Sequence, residues 1–247
     1  LIYRAHFAFS KNPIVNSKGI NTSAVYGFLN TLLELLNKEK PTHVAVAFDT
    51  KSPTFRSDIF SEYKANRERQ PEDIQVAIPI IKNFLEHLNI KRVELDGFEA
   101  DDIIGTLSCV LSEEEDTQVF MMTPDKDFAQ LVKKNVFLYK PAFMGRGVDI
   151  LGVNEVLEKF KIKEVDQVID FLGLQGDSVD NIPGIPGVGP KTAQRLTFYV
   201  LSQNIEETMK LSEALRDVKK TLSYCQNCFF ITNDSFFVNP SIRAVLS

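Results

Sequence analysis

Acidic side chains are crowded into one short stretch of the chain, between Gly97 and Thr106. Glu99, Asp101 and Asp102 fall within four residues, where apolar residues begin to recur with helical spacing. Their charges repel one another, and the dipole of a helix N-terminus offsets only part of that repulsion. Such a turn favours a divalent cation bound by oxygen ligands, although an isolated stretch of this kind is equally often a solvated helix start.

Further acids follow apolar runs that are typical of buried strands. Asp49 ends the run 44–48, and Asp125 and Asp127 follow the run 118–123. In open α/β sheets, the carboxyl ends of parallel strands form the edge where ligands bind. These acids are therefore expected near the acidic turn.

A last acidic pair, Asp177 and Asp180, has a spacing that places both on one side of a helical turn. The complete acidic set is Asp49, Glu99, Asp101, Asp102, Asp125, Asp127, Asp177 and Asp180. A site with oxygen ligands and no His or Cys suits Mg²⁺ or Mn²⁺ rather than zinc. Two such ions, roughly 3.5–4 Å apart, would activate a water and stabilise the leaving oxygen of a phosphodiester.

Residues 51–70 interleave basic and aromatic side chains. Lys64 and Arg67 are three residues apart, so on a helix they would share a face. Bases and aromatics together suit contact with the phosphates and bases of nucleic acid, and the two cations would neutralise charge on a scissile phosphate. The alternative is a solvated amphipathic helix balanced by its own acids.

Glycines and prolines alternate between Pro183 and Pro190, just before a helix predicted to open at Lys191. A turn of this composition exposes successive backbone N–H groups, which can hold a phosphate without reading base identity. A purely structural turn rarely needs three glycines at this spacing, so a functional role is favoured.

Composition is that of an ordinary globular chain of 247 residues, with 44% hydrophobic and 25% charged residues. The net charge of −5 argues against nucleic acid, but acids gathered around metal ions would leave basic surface elsewhere. Cys225 and Cys228 have metal spacing without a second pair, so we expect no zinc site. No apolar run is long enough for a membrane span and no signal-peptide pattern is present, which predicts a cytoplasmic location.

Short apolar runs and helical periods alternate up to residue 174, which indicates a mainly parallel sheet flanked by helices. Thr123 and Pro124 suit the N-cap and first position of a helix that would hold Asp125 and Asp127 in its first turn. The predicted strands are 44–48, 92–95, 118–123 and 136–139, the last at an edge. The other predicted helices are 22–37, 71–88, 154–160, 165–174 and 211–222, and 141–152 is a predicted connection.

The order of these motifs resembles the 5′-nuclease (flap endonuclease) family, and within it most closely the N-terminal 5′→3′ exonuclease domains of bacterial DNA polymerase I. The resemblance covers about residues 1–196. The motifs that carry it are Tyr3-Arg4-Ala5, Phe48-Asp49, Tyr63-Lys64-Ala65-Asn66-Arg67, and the stretches 99–105, 123–128, 176–184 and 187–193.

The resemblance implies a PIN-like α/β fold for residues 1–160, with a helical arch around 51–70, and a helical helix–hairpin–helix (H2TH-like) subdomain over 161–247. It implies that the eight acids hold two Mg²⁺ or Mn²⁺ ions, and that K⁺ binds at the hairpin. The catalytic residues that it implies are Tyr3, Arg4, Lys64 and Arg67. The DNA contacts that it implies are Arg56, Tyr63, Gly184, Gly187, Val188, Gly189, Lys191 and Thr192.

The family cleaves 5′ flaps and nicked duplexes in replication and repair, so the expected partner is branched or nicked duplex DNA with a 5′ flap. The resemblance leaves room for a polymerase domain in the same parent chain. We expect a monomer in the bacterial cytoplasm, associated with the nucleoid and not with a membrane.

Two departures from the family pattern leave alternatives open. The family's first metal-ligand Asp lies on a strand shortly before the Tyr3-Arg4 pair, and the sequence as given begins too late to contain it. A DNA-binding fragment with impaired catalysis is therefore the rival hypothesis. The family's glycine-containing helix pattern is also not legible after Leu196, which leaves the C-terminal boundary open. A third hypothesis, an RNA-directed PIN-like nuclease, is disfavoured by the glycine hairpin and the motif at 63–67.

Overall fold

The computed structural model describes residues 1–141, 147–186, 188–221, 223–224 and 231–232. The predicted contact Gly187 and the cysteines Cys225 and Cys228 lie outside the described residues. The chain divides into two compact units, Leu1–Gln194 and Arg195–Ser247. None of the described helices is long and apolar enough to cross a membrane.

Helices and strands alternate through the first unit, as the sequence predicts. The α-helices are α1 Ile2–Ala8, α2 Ser23–Lys38, α3 Phe55–Ile59, α4 Glu72–His87, α5 Ala100–Leu111, α6 Val153–Phe160, α7 Gln167–Gln175, α8 Pro190–Ser202 and α9 Ile205–Thr221, and a 3₁₀ helix spans Asp127–Leu131. The strands are β1 Ala45–Ala47, β2 Lys91–Val93, β3 Val119–Met122, β4 Val136–Lys140, β5 Asp149–Leu151, β6 Ser223–Tyr224 and β7 Ile231–Thr232.

The expected parallel pairing is present, but the described strands form separate small sheets. Strand β1 pairs in parallel with β2, with Val46 opposite Arg92. Strand β3 pairs in parallel with β4, and β5 joins the other side of β4 in antiparallel orientation. Within each parallel pair the carboxyl ends of the two strands lie at the same edge of the sheet. Acids that follow these strands can therefore lie close together.

Three predictions about the elements are wrong. Strand β4 lies between β3 and β5, so it is not an edge strand. The predicted connection 141–152 contains strand β5, whose short length hides its pattern. The helix after β3 begins at Asp127 as a 3₁₀ helix rather than at Pro124. The side chain of Thr123 instead accepts the N–H of Asp125 at 3.2 Å, a local bond that competes with helix formation.

The hydrophobic core of the first unit forms where α2 and α4 face each other beneath β1. Buried side chains recur with helical spacing on both helices, as the sequence predicts. The buried members of this cluster are Ala24, Val25, Phe28, Leu32, Phe48, Ala77, Ile81 and Leu85. This packing fixes the end of β1 and therefore the position of Asp49, which follows the buried Phe48.

Residues 51–70 contain the five-residue helix α3 and a run of turns at 61–66, and the rest is irregular. Lys64 has φ +57°, a left-handed conformation that no α-helix interior contains. The expectation that Lys64 and Arg67 share a helix face is therefore wrong for this structure. Instead, the N–H of Lys64 donates to the carbonyl oxygen of Asp180 at 3.0 Å, so this segment is held by a distant loop.

Candidate functional site

Helix α5 begins with the acidic turn that the sequence singles out. Glu99 is its N-cap residue, and the N–H of Glu99 donates to Oδ2 of Asp102 at 2.9 Å. The Glu99 side chain in turn accepts the backbone N–H of Asp102. This capping box satisfies backbone donors that the first helical turn leaves free. Part of the acidity of this stretch therefore has a structural use in capping the helix.

Arg56 reaches across from α3 to the acidic turn and forms two hydrogen bonds with Asp102. Nη1 donates to Oδ2 at 2.8 Å and Nη2 donates to Oδ1 at 2.7 Å. The hydrogen bonds from Arg56 lower the pKa of the Asp102 carboxyl. Both oxygens of Asp102 are thus occupied, and one of them also accepts the Glu99 N–H. Asp102 therefore acts in this structure as an anchor for residues 56–67, here called the basic segment.

Lys64 and Tyr63 contact Glu99, another acid of the same turn. Nζ of Lys64 donates to Oε2 of Glu99 at 2.7 Å, and the hydroxyl of Tyr63 lies 3.3 Å from the same oxygen. The Tyr63 hydroxyl lies equally far, 3.3 Å, from Oδ2 of Asp180. Burial and these neighbouring carboxylates raise the pKa of Tyr63, so its hydroxyl stays a donor.

Arg67 pairs with Asp180 through Nη2 and Oδ1. Asp180 belongs to a tight loop and not to the predicted helical turn. Asp177 closes that loop by accepting the N–H of Val179 at 2.8 Å, and its backbone exchanges hydrogen bonds with Ile182. A hydrogen bond from an Asp side chain to its own loop competes with helix formation. Asp177 and Asp180 are therefore three residues apart in a loop and not on one side of a helical turn.

Asp101 is the acid of the turn with the least compensation. Its pKa is raised to about 6, mainly by loss of solvent and then by the charges of Asp125, Asp49 and Glu99, while Lys64 opposes the rise. These mutual effects place acids from β1, β3 and α5 around one another, as the strand-end argument predicts. Asp49 also accepts the N–H of Ala100 at 2.8 Å, which fixes it at the start of α5.

Asp127 forms a second electrostatically strained position. Its pKa is raised to about 6, mainly by burial and then by the charges of Asp125, Asp177 and Asp180, while Lys126 opposes the rise. Its Oδ1 is buried and accepts no hydrogen bond in the part of the chain that the structure describes. Oδ1 of Asp125 accepts the backbone N–H of Asp127 at 3.0 Å. Asp127 is therefore within electrostatic reach of Asp177 and Asp180.

The donors fit divalent cations in their chemistry. All are carboxylates, Asp127 keeps an orphaned buried oxygen, and the raised pKa values of Asp101 and Asp127 mark repulsion that a cation would relieve. As placed, however, no three acidic, His or Cys side chains among the described residues lie close enough to hold one ion. Basic side chains instead hold Glu99, Asp102 and Asp180.

A large cleft opens beside these acids. Its volume is about 2250 Å³, and Asp49, Asp101 and the half-exposed Tyr3 are among its lining residues. Arg4, the other predicted catalytic residue of the N-terminal motif, donates from Nη2 to the carbonyl oxygen of Pro141 at 3.0 Å. Tyr3 therefore shares the cleft with the acids, whereas this contact ties Arg4 to the end of β4.

The glycine-rich turn has a structural constraint in addition to any binding role. A Cβ on Gly184 would lie 2.4 Å from the carbonyl oxygen of Gln175, so only glycine fits this close approach. Val188 and Gly189 precede α8, and Thr192 donates its N–H to the Gly189 carbonyl oxygen at 2.9 Å. Helix α8 begins at Pro190, one residue before the predicted start. Lys191 and Thr192 are exposed in its first turn, in the position that phosphate contact requires.

Sequence reasoning missed an asparagine link beneath the basic segment. Nδ2 of Asn66 donates to Oδ1 of Asn181 at 2.9 Å, and Nδ2 of Asn181 donates to the carbonyl oxygen of Glu62 at 2.8 Å. Asn181 has φ +59°, a conformation in which Asn is strongly enriched. The sequence Asp-Asn-Ile-Pro-Gly at 180–184 is typical of a turn and could have located Asn181 there, although it does not indicate the partners of Asn181.

Comparison with known proteins covers almost the whole chain. Residues 1–161 match the family model described as "5'-3' exonuclease, N-terminal resolvase-like domain". Residues 163–236 match the model described as "5'-3' exonuclease, C-terminal SAM fold". The matches agree with a PIN-like domain followed by a helical fold.

Curated relatives have matching names. DNA polymerase I of Bacillus subtilis is 41% identical over 229 residues, which are 89% of this chain and 25% of that protein. A 5'-3' exonuclease of Aquifex aeolicus is 41% identical over 192 residues, which are 78% of this chain and 64% of that protein. The chain thus spans a quarter of the first relative and less than two thirds of the second.

A solved structure supports the same fold. A bacteriophage T5 flap endonuclease, in a pseudo-enzyme-product complex with DNA and metal ions, superimposes with a TM-score of 0.58 at 18% identity. The match covers 92% of this chain and 78% of that one. The strand-end acids, the basic segment and the two family matches lead to one conclusion: the chain belongs to the 5′-3′ exonuclease family.

Proposed function

We propose that this chain is a metal-dependent nuclease that hydrolyses phosphodiester bonds near the 5′ end of branched or nicked DNA, including RNA primers annealed to it. The observation that carries the proposal is that Asp49 and Asp101 line a large cleft, while the charges of Asp125, Asp49 and Glu99 all act on Asp101. Clustered carboxylates of this kind, without His or Cys, are suited to hard divalent cations.

Two Mg²⁺ or Mn²⁺ ions would lower the pKa of an attacking water and neutralise charge on the leaving oxygen. We propose Asp49, Glu99, Asp101 and Asp125 as ligands at one position, and Asp127, Asp177 and Asp180 at the other. Asp102 would contribute through its bond to Arg56 and its cap of α5. The T5 neighbour contains metal ions and DNA, which supports this assignment by analogy of fold.

Lys64 and Arg67 would bind the scissile phosphate, since both lie against the acids on a segment that the structure ties to the 177–182 loop. Fixed cations next to a reacting phosphate stabilise the charge that develops there. Tyr63 would orient Glu99 through its hydroxyl. Tyr3, which lines the cleft, would contact the same nucleotide.

The C-terminal part would bind duplex DNA without reading its sequence. In this proposal residues 1–160 carry the chemistry together with Asp177 and Asp180, and the rest of residues 161–247 hold the DNA backbone through the glycine turn at 184–189 and the exposed Lys191 and Thr192. Backbone N–H groups at such a turn, with K⁺ bound by its carbonyls, would grip a phosphate. We propose that the chain acts as a monomer.

The proposal is tested with a set of 5′-labelled substrates that share one sequence: a single strand, a blunt duplex, a nicked duplex and a 5′ flap. With Mg²⁺ we expect the flap and the nicked duplex to be cut fastest, close to the junction, and EDTA to stop cutting. Equal cutting of all substrates, or cutting that survives EDTA, would contradict the proposal. Binding without cutting would favour the DNA-binding alternative.

A further inference from the structure

The basic segment, residues 56–67, is held against the acidic site by three separate ion pairs. Arg56 pairs with Asp102 in two hydrogen bonds. The other two pairs join Lys64 to Glu99 at 2.7 Å and Arg67 to Asp180. The cations proposed to bind phosphate are thus engaged with carboxylates proposed to bind metal.

These pairs differ in how firmly they are built. Asp102 is held from two sides, by the bidentate guanidinium and by the Glu99 N–H, and it belongs to the first turn of α5. Glu99 and Asp180 each accept from one basic side chain, and the Tyr63 hydroxyl lies between them at 3.3 Å from each. A bidentate pair is the stronger kind, so Arg56 anchors the segment, while Lys64 and Arg67 are the contacts that can exchange.

The engaged carboxylates also explain an apparent conflict at the site. The charges of Asp49, Glu99 and Asp125 act on Asp101, yet no described group of three acidic, His or Cys side chains is close enough to hold an ion. A cation already lies against Glu99 and another against Asp180. A metal ion would have to displace these side chains before it could use both acids.

We propose that the basic segment closes the site in the metal-free chain, and that divalent ions open it by displacing Lys64 and Arg67 while Arg56 stays on Asp102. The inference rests on the proposed function, since it takes these acids as metal ligands. The released ammonium and guanidinium groups then bind the phosphates of the nucleic acid. Metal binding and nucleic-acid binding are therefore positively coupled, and the coupling is reciprocal.

The exchange is favourable in its electrostatics. A divalent ion carries twice the charge of Lys64 and binds several carboxylate oxygens at once. The Arg67 side chain is 48% exposed, so its pair with Asp180 is screened by water. Breaking the two pairs nevertheless opposes metal binding, so their removal should tighten it. A partly exposed charged hydrogen bond corresponds to roughly threefold to tenfold in an equilibrium constant.

A fluorescent probe can follow the segment, because the chain contains no Trp. Phe60 lies within the basic segment and lines a cavity with Ser178 and Ile182, so Phe60→Trp reports whether the segment leaves that loop. Phe84→Trp, at an exposed position on α4, is the control probe. Mg²⁺ is added without nucleic acid, and its binding is measured in parallel by calorimetry.

We expect the Phe60→Trp emission to change with a midpoint that matches the calorimetric one, while the Phe84→Trp emission stays constant. In a Lys64→Gln/Arg67→Gln background the change should disappear, and Mg²⁺ should bind threefold to tenfold more tightly. The matched control is Lys51→Gln/Arg69→Gln, which removes the same charge at described residues that show no ion pair. Lys64→Gln alone should give an intermediate affinity and guards against misfolding of the double variant.

Calorimetric Mg²⁺ binding with a constant Phe60→Trp emission, and equal affinities in the two double variants, would overturn this inference and leave the proposed function intact. Absence of Mg²⁺ and Mn²⁺ binding would overturn both. These outcomes differ in the calorimetric signal, which does not depend on cleavage.

Discussion

The guanidinium of Arg56 grips both oxygens of Asp102, at 2.8 and 2.7 Å, across 46 positions of the chain. Asp102 in turn accepts the N–H of Glu99 and so closes the first turn of α5. One carboxylate therefore joins the basic segment to the helix that carries the acidic site. This contact makes Asp102 a positioning residue, although the sequence alone groups it with the metal ligands.

Replacement of Arg56 tests that role. Arg56→Gln should lower the free energy of unfolding by about 1 kcal/mol, because it breaks a partly exposed bidentate pair. Urea unfolding in EDTA measures the loss, and Arg69→Gln, at an exposed described residue without an ion pair, is the control. A loss in Arg56→Gln no larger than in the control would show that the pair does not hold the segment.

The turn between α7 and α8 should tolerate no side chain at its closest approach. Gly184→Ala would place Cβ 2.4 Å from the carbonyl oxygen of Gln175, so we expect a loss of about 3 kcal/mol of stability. Gly173→Ala is the matched control, since its Cβ meets no atom within 4 Å in the interior of α7. Alanine there should be neutral or stabilise the fold by ~0.5 kcal/mol. Equal thermal midpoints for both variants would contradict the close approach.

The raised pKa of Asp101 predicts a pH dependence of stability without metal. Its pKa is about 6 in the folded chain, above the ordinary value of about 3.9. Between these values the folded state holds more protons than the unfolded state, so stability falls as the pH rises. Asp101→Asn should remove this loss and stabilise the metal-free chain at pH 7, by on the order of 1 kcal/mol.

Urea unfolding in EDTA from pH 4 to 7 measures the effect. The difference between Asp101→Asn and the unsubstituted chain should grow through this window and should shrink when Mg²⁺ is added. A difference that is constant with pH would show that Asp101 is not repelled by its neighbours.

Lys64 is expected to act on the bound phosphate, and its replacement should therefore slow chemistry. Lys64→Gln should lower the single-turnover cleavage rate by roughly tenfold to a hundredfold at saturating enzyme, as for the loss of one charge-stabilising group. Lys18→Gln removes the same charge at an exposed residue outside the cleft and outside residues 51–70, and it should change the rate little. An unchanged single-turnover rate for Lys64→Gln at saturating enzyme, with a loss only at low enzyme concentration, would assign Lys64 to binding alone.

Local patterns predict much of this fold and fail where distant contacts decide. Apolar runs ending in acids located β1 and β3 correctly, because a buried strand needs continuous apolar residues. The pattern of 51–70 did not reveal that Lys64 takes a left-handed conformation, since that depends on its bond to Asp180. Strand β5 was missed because three residues carry too little periodicity.

The same division applies to the site. Residue types and spacing indicate which acids are gathered, because they follow strand ends and helix starts. They do not indicate that Asp102 is committed to Arg56, or that Asn181 joins Asn66 to Glu62, since these partners are separated by long stretches of chain. The metal-binding roles of the acids remain a prediction.

The central claim is that the strand-end acids are needed for metal-dependent cutting, and one comparison tests it most directly. Asp125→Asn and the control Asp170→Asn, at an exposed position on α7, are assayed with Mg²⁺ on a 5′-labelled flap duplex in single turnover. We expect Asp170→Asn to cut near the junction like the unsubstituted chain, and Asp125→Asn to lose at least a hundredfold in rate, on the order of one lost catalytic electrostatic contact. Equal cutting by both variants would contradict the account.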